Sequence, residues 1–156
     1  MPTLYEVMED DDFLPELKMN NELLIKYLDL DKMRLIVRLV IEEPQFNDPP
    51  QRCFKLPFVA MQVLSMDNPH VTNMLFNDPE YVLLNLLMEF ICVPEEIQLN
   101  STLCGYFNKI LSFWFIKKPN EMIRFFDMHE SVVNDTVEHI YLNSSIIDII
   151  IRICCI

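Results

Sequence analysis

Residues 99–120 read LNSTLCGYFNKILSFWFIKKPN, and this stretch decides the fold. It holds the only glycine of the chain, Gly105, and the only tryptophan, Trp114, and it closes on Lys117-Lys118-Pro119. Leu103, Tyr106, Phe107, Ile110, Leu111, Phe113, Trp114 and Phe115 cover most of a helical circumference. Asn108, Lys109 and Ser112 leave only a narrow polar stripe beside Gly105. A helix apolar over so much of its surface is expected to be enclosed by others. Asn100, Ser101 or Thr102 can cap its first turn. Pro119 cannot continue a helix but can start one, so a second helix is expected there. Gly105 costs about 1 kcal/mol against alanine inside a helix. The expected reason for it is a close approach by a neighbouring backbone. Lys118 sits on the wrong side of the next helix dipole, and Glu121 one turn in offsets it.

Working outward, one glycine against ten prolines argues for an all-α chain, since barrels and sandwiches need many glycine turns. With 51% hydrophobic and 11% aromatic residues, the 156 residues can fill a core. A formal net charge of −12 argues against nucleic acid and anionic membranes as partners. The longest apolar run, Leu103 to Ile116, is broken by Asn108 and Lys109 and falls short of the roughly 20 residues of a membrane span. The chain opens on an acidic segment without a basic n-region or apolar run, so no secretory signal is read. The five cysteines, Cys53, Cys92, Cys104, Cys154 and Cys155, show no disulfide framework. Reduced thiols in a cytoplasmic protein, with the nucleus as a second location, are the expectation.

Thr3-Leu-Tyr-Glu6 has the form of a capping box and opens a helix to about Met8. Glu9 to Asp12 reads either as a solvated linker or as a docking segment for a basic partner. Asn20 or Asn21 caps a second helix to Leu28, with Glu22 and Lys26 at the favourable i,i+4 spacing. A third, Asp31 to Glu43, carries Met33, Ile36, Val37, Val40 and Ile41 on one face. Pro44, Pro49 and Pro50 mark a loop, and Arg52 to Leu56 reads as extended. Helices are expected from Pro57 to Met66, from Asn68-Pro69 to Leu75, and from Asp78-Pro79-Glu80 to the turn before Pro94. After Pro119, Met122, Ile123 and Phe126 point inward. Ser131 to Ile140 and then Asn143 or Ser144 to the end complete the count, the last by its serine cap and the Asp148–Arg152 spacing. The sum is about nine short helices, an armadillo- or HEAT-like stack in which each pair buries its face on the next. A compact irregular bundle is the rival arrangement.

Catalytic constellations are absent from the residues. No GxSxG, P-loop or GxGxxG occurs; His70, His129 and His139 form no HExxH; and Cys154-Cys155 lack zinc-ligand spacing. No catalytic residue, cofactor or metal is read. The candidate partner contacts are Lys109, Lys117 and Lys118, the local basic cluster, together with His139 and the Asp148–Arg152 pair. Each also has an ordinary reading, as solubilising lysines, a hydrogen-bonded histidine and an intrahelical ion pair.

With these residues laid out, the chain resembles the SAPS-domain family, the regulatory subunits of protein phosphatase 6. The stretches that carry the resemblance are TLYEVMEDDDFLPELKMNN with ELLIKYL, then RLVIEEP, DPEYVLLNLLMEF, LNSTLCGYFNKILSFWFIKKPNEMIRFF and HIYLNSSIIDIIIRI, in the family's order. Leu99, Asn100, Gly105, Tyr106, Phe107, Lys109, Lys118, Pro119, His139, Ile140, Ser145, Asp148 and Arg152 fit the family pattern. Ser101 stands where proline is usual, Lys117 where arginine is usual, and Tyr141 in place of a glycine. The resemblance runs from Thr3 to Ile153 and covers the N-terminal part of a longer domain. It implies one domain over 1–156, with an acidic segment 1–18 and a helical stack 19–156. A stack stopping at Ile156 is expected either to have Ile147, Ile150, Ile151 and Cys154 covered by another chain or to be poorly soluble. The implied role is a non-catalytic regulatory or scaffold subunit. Its partners would be a type 6-like serine/threonine phosphatase catalytic subunit and other scaffold subunits. The alternative is a shortened helical-repeat protein that no longer binds a phosphatase.

Overall fold

A chain with one glycine cannot end its helices on glycine, and the fold shows what replaces it. The structure is a computed structural model that describes residues 2–94, 98–129 and 131. Among these residues lie nine α-helices and no strand. They are α1 (Leu4–Glu9), α2 (Phe13–Lys18), α3 (Glu22–Tyr27), α4 (Leu30–Ile41), α5 (Leu56–Leu64), α6 (Pro69–Phe76), α7 (Val82–Met88), α8 (Ser101–Lys117) and α9 (Pro119–Met128). A π-helical turn, Gln51–Lys55, runs straight into α5.

Five of the nine starts are closed by a side chain just ahead of the helix. The Thr3 hydroxyl accepts from the Glu6 N–H, and the Glu6 carboxylate accepts from the Thr3 N–H at 2.7 Å. Asn21, Asp29, Asn68 and Asn100 each accept first-turn N–H groups of α3, α4, α6 and α8.

The C-terminal ends are closed differently. Asn20, at φ 57°, takes the left-handed position after α2 that glycine usually fills. Its N–H donates to Leu17 O and that of Asn21 to Glu16 O, both at 3.1 Å, a Schellman pair. Elsewhere distant side chains supply the donors. Lys55 Nζ reaches Glu9 O at 2.6 Å, His70 Nε2 reaches Leu28 O at 2.7 Å, and Trp114 Nε1 reaches Leu64 O at 2.6 Å. A carbonyl only accepts, so His70 carries its proton on Nε2. The ends of α1, α3 and α5 are thus ties to other parts of the stack, and each satisfies a carbonyl that the helix itself leaves orphaned.

The core sits around α4, which packs against α5, α7 and α8, while α5 and α9 flank α8. Met33, Ile36, Val37, Leu39 and Val40 of α4 are buried, with Ile41 half-buried. Its outer face carries the Arg34–Asp31 and Arg38–Glu42 pairs at 3.1 and 2.8 Å. The all-α stack of short helices expected from the sequence is therefore what forms.

Several local expectations are corrected. The acidic segment contains α2, with Phe13 and Leu17 buried beside Leu4 and Met8 of α1. The segment 52–56 is helical rather than extended, because Pro50 already takes helical angles and starts the turn. The helix expected at Pro79 begins at Val82, after Tyr81 in the left-handed region at φ 50°. Asp78 still serves it, accepting the Val82 N–H at 3.1 Å. Left-handed backbone costs a non-glycine residue about 1–2 kcal/mol, and burial of the Tyr81 ring edge-on to Phe125 at 5.4 Å offsets it. Phe125 is fully buried where the periodicity pointed to Ile123, which is half-buried. Glu22 and Lys26 form no ion pair; Lys32 pairs with Asp29 instead, at 3.0 Å. The helices expected from Ser131 to Ile140 and from Asn143 or Ser144 onward lie outside the described residues, Ser131 itself excepted.

Candidate functional site

The outer face of α8 is built from the inside out. Leu103, Cys104, Phe107, Ile110, Leu111, Trp114 and Phe115 are buried, so helical geometry turns Thr102, Gly105, Tyr106, Lys109, Ser112, Phe113 and Ile116 to the other side. Thr102 and Lys109 are exposed, Ile116 is 68% exposed, and Gly105, Tyr106, Ser112 and Phe113 are half-buried. The helix expected to be enclosed all round therefore keeps one strip at the surface. Among the described residues, no atom lies within 4 Å of where a Gly105 side chain would stand. This overturns the close backbone approach inferred for that glycine. The bare backbone faces outward.

Aromatic rings border the strip. Phe58 of α5 is 43% exposed and lies 6.3 Å from the Tyr106 ring. Phe54, one turn earlier in the π-helical turn, is 74% exposed. The i,i+4 spacing of Phe54 and Phe58 is the sequence signal that would have found this pair, had the segment been read as helical.

The basic cluster divides. Lys118 closes α8, donating its N–H to Trp114 O at 2.7 Å, and it precedes Pro119 at the start of α9. Lys117 Nζ lies 3.5 Å from Asp67 Oδ2, in the turn after α5. Half of the expected positive corner is thus neutralised by a carboxylate that lies far away in the sequence. The pair is exposed and adds at most about 1 kcal/mol. Lys109 is eight residues back, roughly 12 Å along the axis and about 80° around it, so it belongs to the strip and not to the corner. His139, Asp148 and Arg152 lie outside the described residues.

Two further reactive groups, His129 and Cys104, are committed to structure. His129 Nδ1 donates to Phe125 O at 2.7 Å, and its ring stacks on Phe125 at 4.4 Å. Burial pushes the Cys104 thiol up to about 11. No group of three or more metal-ligating side chains occurs among the described residues. Among the same residues, no helix is long and apolar enough to cross a membrane. The surface therefore offers contact: aromatic rings on a rigid helix, a bare backbone patch and one outward lysine.

No protein-family model and no solved structure matches the chain. Curated relatives do. The chain is 30% identical over 152 residues to the mouse protein named serine/threonine-protein phosphatase 6 regulatory subunit 2. It is 30% identical to regulatory subunit 3 of that phosphatase from chicken, and 27% identical to human regulatory subunit 1. Each match covers 97% of this chain and 16–17% of the relative. The chain thus spans about one sixth of the length of the relatives it matches, and it resembles the SAPS-domain regulatory subunits along nearly all of its own.

Proposed function

We propose that this chain, a relative of the SAPS-domain regulatory subunits, is a non-catalytic regulatory or scaffold element. In this reading it docks on a type 6-like serine/threonine phosphatase catalytic subunit and directs its activity or substrate choice. The observation that carries it is the match along 97% of the chain to proteins named as regulatory subunits of that phosphatase. The outer strip of α8 supplies a docking face. Tyr106, Phe58 and Phe54 are the ring types that dominate interface energetics, Gly105 lets a partner approach the backbone, and Lys109 sets one charge beside them. The chemistry and its metals belong to the catalytic subunit. Other scaffold subunits are further partners, and the cytoplasm, with access to the nucleus, is the place of action.

The test is capture of the catalytic subunit by the purified chain in low salt. The wild-type chain retains it. Tyr106→Ala with Phe58→Ser reduces capture at least about tenfold, as loss of a hot spot does, while circular dichroism shows the helices retained. Lys117→Glu with Lys118→Glu tests the corner separately. No capture by the wild-type chain refutes docking by this chain, and capture untouched by either double variant moves docking to another face.

A second reading is a helical-repeat binder that shares the fold of these relatives without their grip on a phosphatase, acting as a structural or competing binder. A chimera that appends the mouse relative's following sequence separates the two: capture by the chimera alone selects the second reading.

A further inference from the structure

A groove of about 740 Å³ lies at the opposite end of the sequence, between α1, α2 and α3. Val7, Phe13, Leu24 and Tyr27 form its apolar lining, and Leu23, 79% exposed, stands at the lip. The Tyr27 hydroxyl donates to Pro2 O at 3.2 Å and joins the end of α3 to the start of the chain. Glu6, Asp10, Asp12 and Glu16 form the rim.

None of these four carboxylates meets a cation among the described residues. Glu6 and Glu16 accept from Thr3 and Asn21, and Asp10 accepts from the Asp12 N–H at 2.9 Å. Of the lysines around the groove, Lys32 pairs with Asp29, and Lys55 with Asp11 and Glu9 O; Lys18 and Lys26, on α2 and α3, form no ion pair with the rim among the described residues. Residues 2–27 carry seven carboxylates against two lysines. An acidic or neutral occupant would desolvate the rim with nothing in return, whereas a cationic one pairs with it. The groove is open along one side and spans three helices, which suits a chain segment better than an enclosed small molecule.

We propose that the groove between α1, α2 and α3 is a docking site for a basic amphipathic helical segment of a partner protein. The segment lays its apolar side chains on Val7, Phe13, Leu24 and Tyr27 and sets lysines or arginines against Glu6, Asp10, Asp12 and Glu16. This is the helix-in-groove mode, with the floor giving affinity and the rim giving orientation and salt-sensitive encounter. It stands apart from the α8 face and does not depend on the phosphatase reading.

The test titrates the 156-residue chain into a labelled helix-forming peptide of about 18 residues, five turns, with leucines on one face and lysines on the flanks. Fluorescence anisotropy reads binding at about 50 and about 300 mM salt. Saturable binding is expected, weakening at least about tenfold at the higher salt. Leu23→Ser and Asp12→Lys each weaken it at least about fivefold with unchanged melting; Leu23 is exposed and the Asp12 side chain makes no capping bond. Asp127→Lys, on the exposed face of α9, changes net charge equally and leaves binding within about twofold. The proposal is overturned by absent saturable binding, by equal binding of a peptide with serines in place of its leucines, or by an Asp127→Lys effect as large as that of Asp12→Lys.

Discussion

Trp114→Phe tests whether the helix ends are held by distant side chains. Trp114 is fully buried, and its indole N–H donates to Leu64 O at 2.6 Å. That carbonyl belongs to the last turn of α5, which has no glycine after it and receives no other backbone or side-chain donor among the described residues. Phenylalanine keeps most of the ring contacts with Phe76 and Phe113, at 5.2 and 4.9 Å, but supplies no donor. An orphaned buried carbonyl costs about 1–3 kcal/mol, and the void left by the smaller ring brings the total to about 2–4 kcal/mol. For a chain of this length each kcal/mol moves the midpoint about 2–4 °C, so melting should fall by about 4–16 °C. Far-ultraviolet circular dichroism reads it in heat and in urea. Ser65→Ala is the comparator. Its hydroxyl donates to Met61 O at 2.7 Å, but that carbonyl also receives the Ser65 N–H, so its loss should stay below about 1 kcal/mol. A Trp114→Phe midpoint within about 2 °C of wild type would refute the reasoning, because the indole would then be filling space and nothing more.

Gly105→Ala should stabilise the chain by about 0.5–1 kcal/mol, since among the described residues nothing stands within 4 Å of the added methyl and alanine is the better helix former; a lowered melting temperature contradicts the open face. Cys104, raised from 9.0 to about 11, has roughly a hundredfold less thiolate at mildly alkaline pH than an unshifted thiol. Mass spectrometry after alkylation of the folded chain should therefore find the half-buried Cys53 labelled well before Cys104, and equal rates would contradict it. Glu6 is held below 4.5 by the Thr3 N–H and hydroxyl, and Asp29 below 3.8 by the Lys32 N–H and ammonium. A lowered folded value stabilises fully above the unfolded value and is lost as pH falls through the folded one, so melting should decline below about pH 4.5. Glu6→Gln should flatten the part of that decline it owns, and melting that is level into strong acid counts against both pairs.

What was legible in the sequence was local. A hydroxyl or amide one position before a helix, a proline at its first turn and an apolar 3.6 repeat act within a few residues, and the starts of α1, α3, α6, α8 and α9 follow from them. What was not legible depends on contacts made across the chain. Nothing near Tyr81 announces a left-handed residue; its ring is held by Phe125, and the start of α7 moves with it. Phe13–Lys18 is a single six-residue helix with Pro15 inside it, too short for periodicity to show. Lys117 reads as half of a basic pair until Asp67, fifty residues earlier, is seen beside it.

The single glycine links these cases. Without glycine at helix ends, α1, α3 and α5 borrow donors from Lys55, His70 and Trp114, so closing an end and packing the stack become the same event. Side chains spent in this way are fixed by the fold. Among the exposed apolar side chains that close no helix end, two groups stand beside a polar contact surface: the Phe54–Phe58–Tyr106 border of α8, and Leu23 above the groove between α1, α2 and α3. The one glycine, freed from capping duty, stands on the first of them with its backbone open. Surface left over after the fold has met its own needs is where a partner is to be sought, and the two faces differ in charge enough to call for different partners.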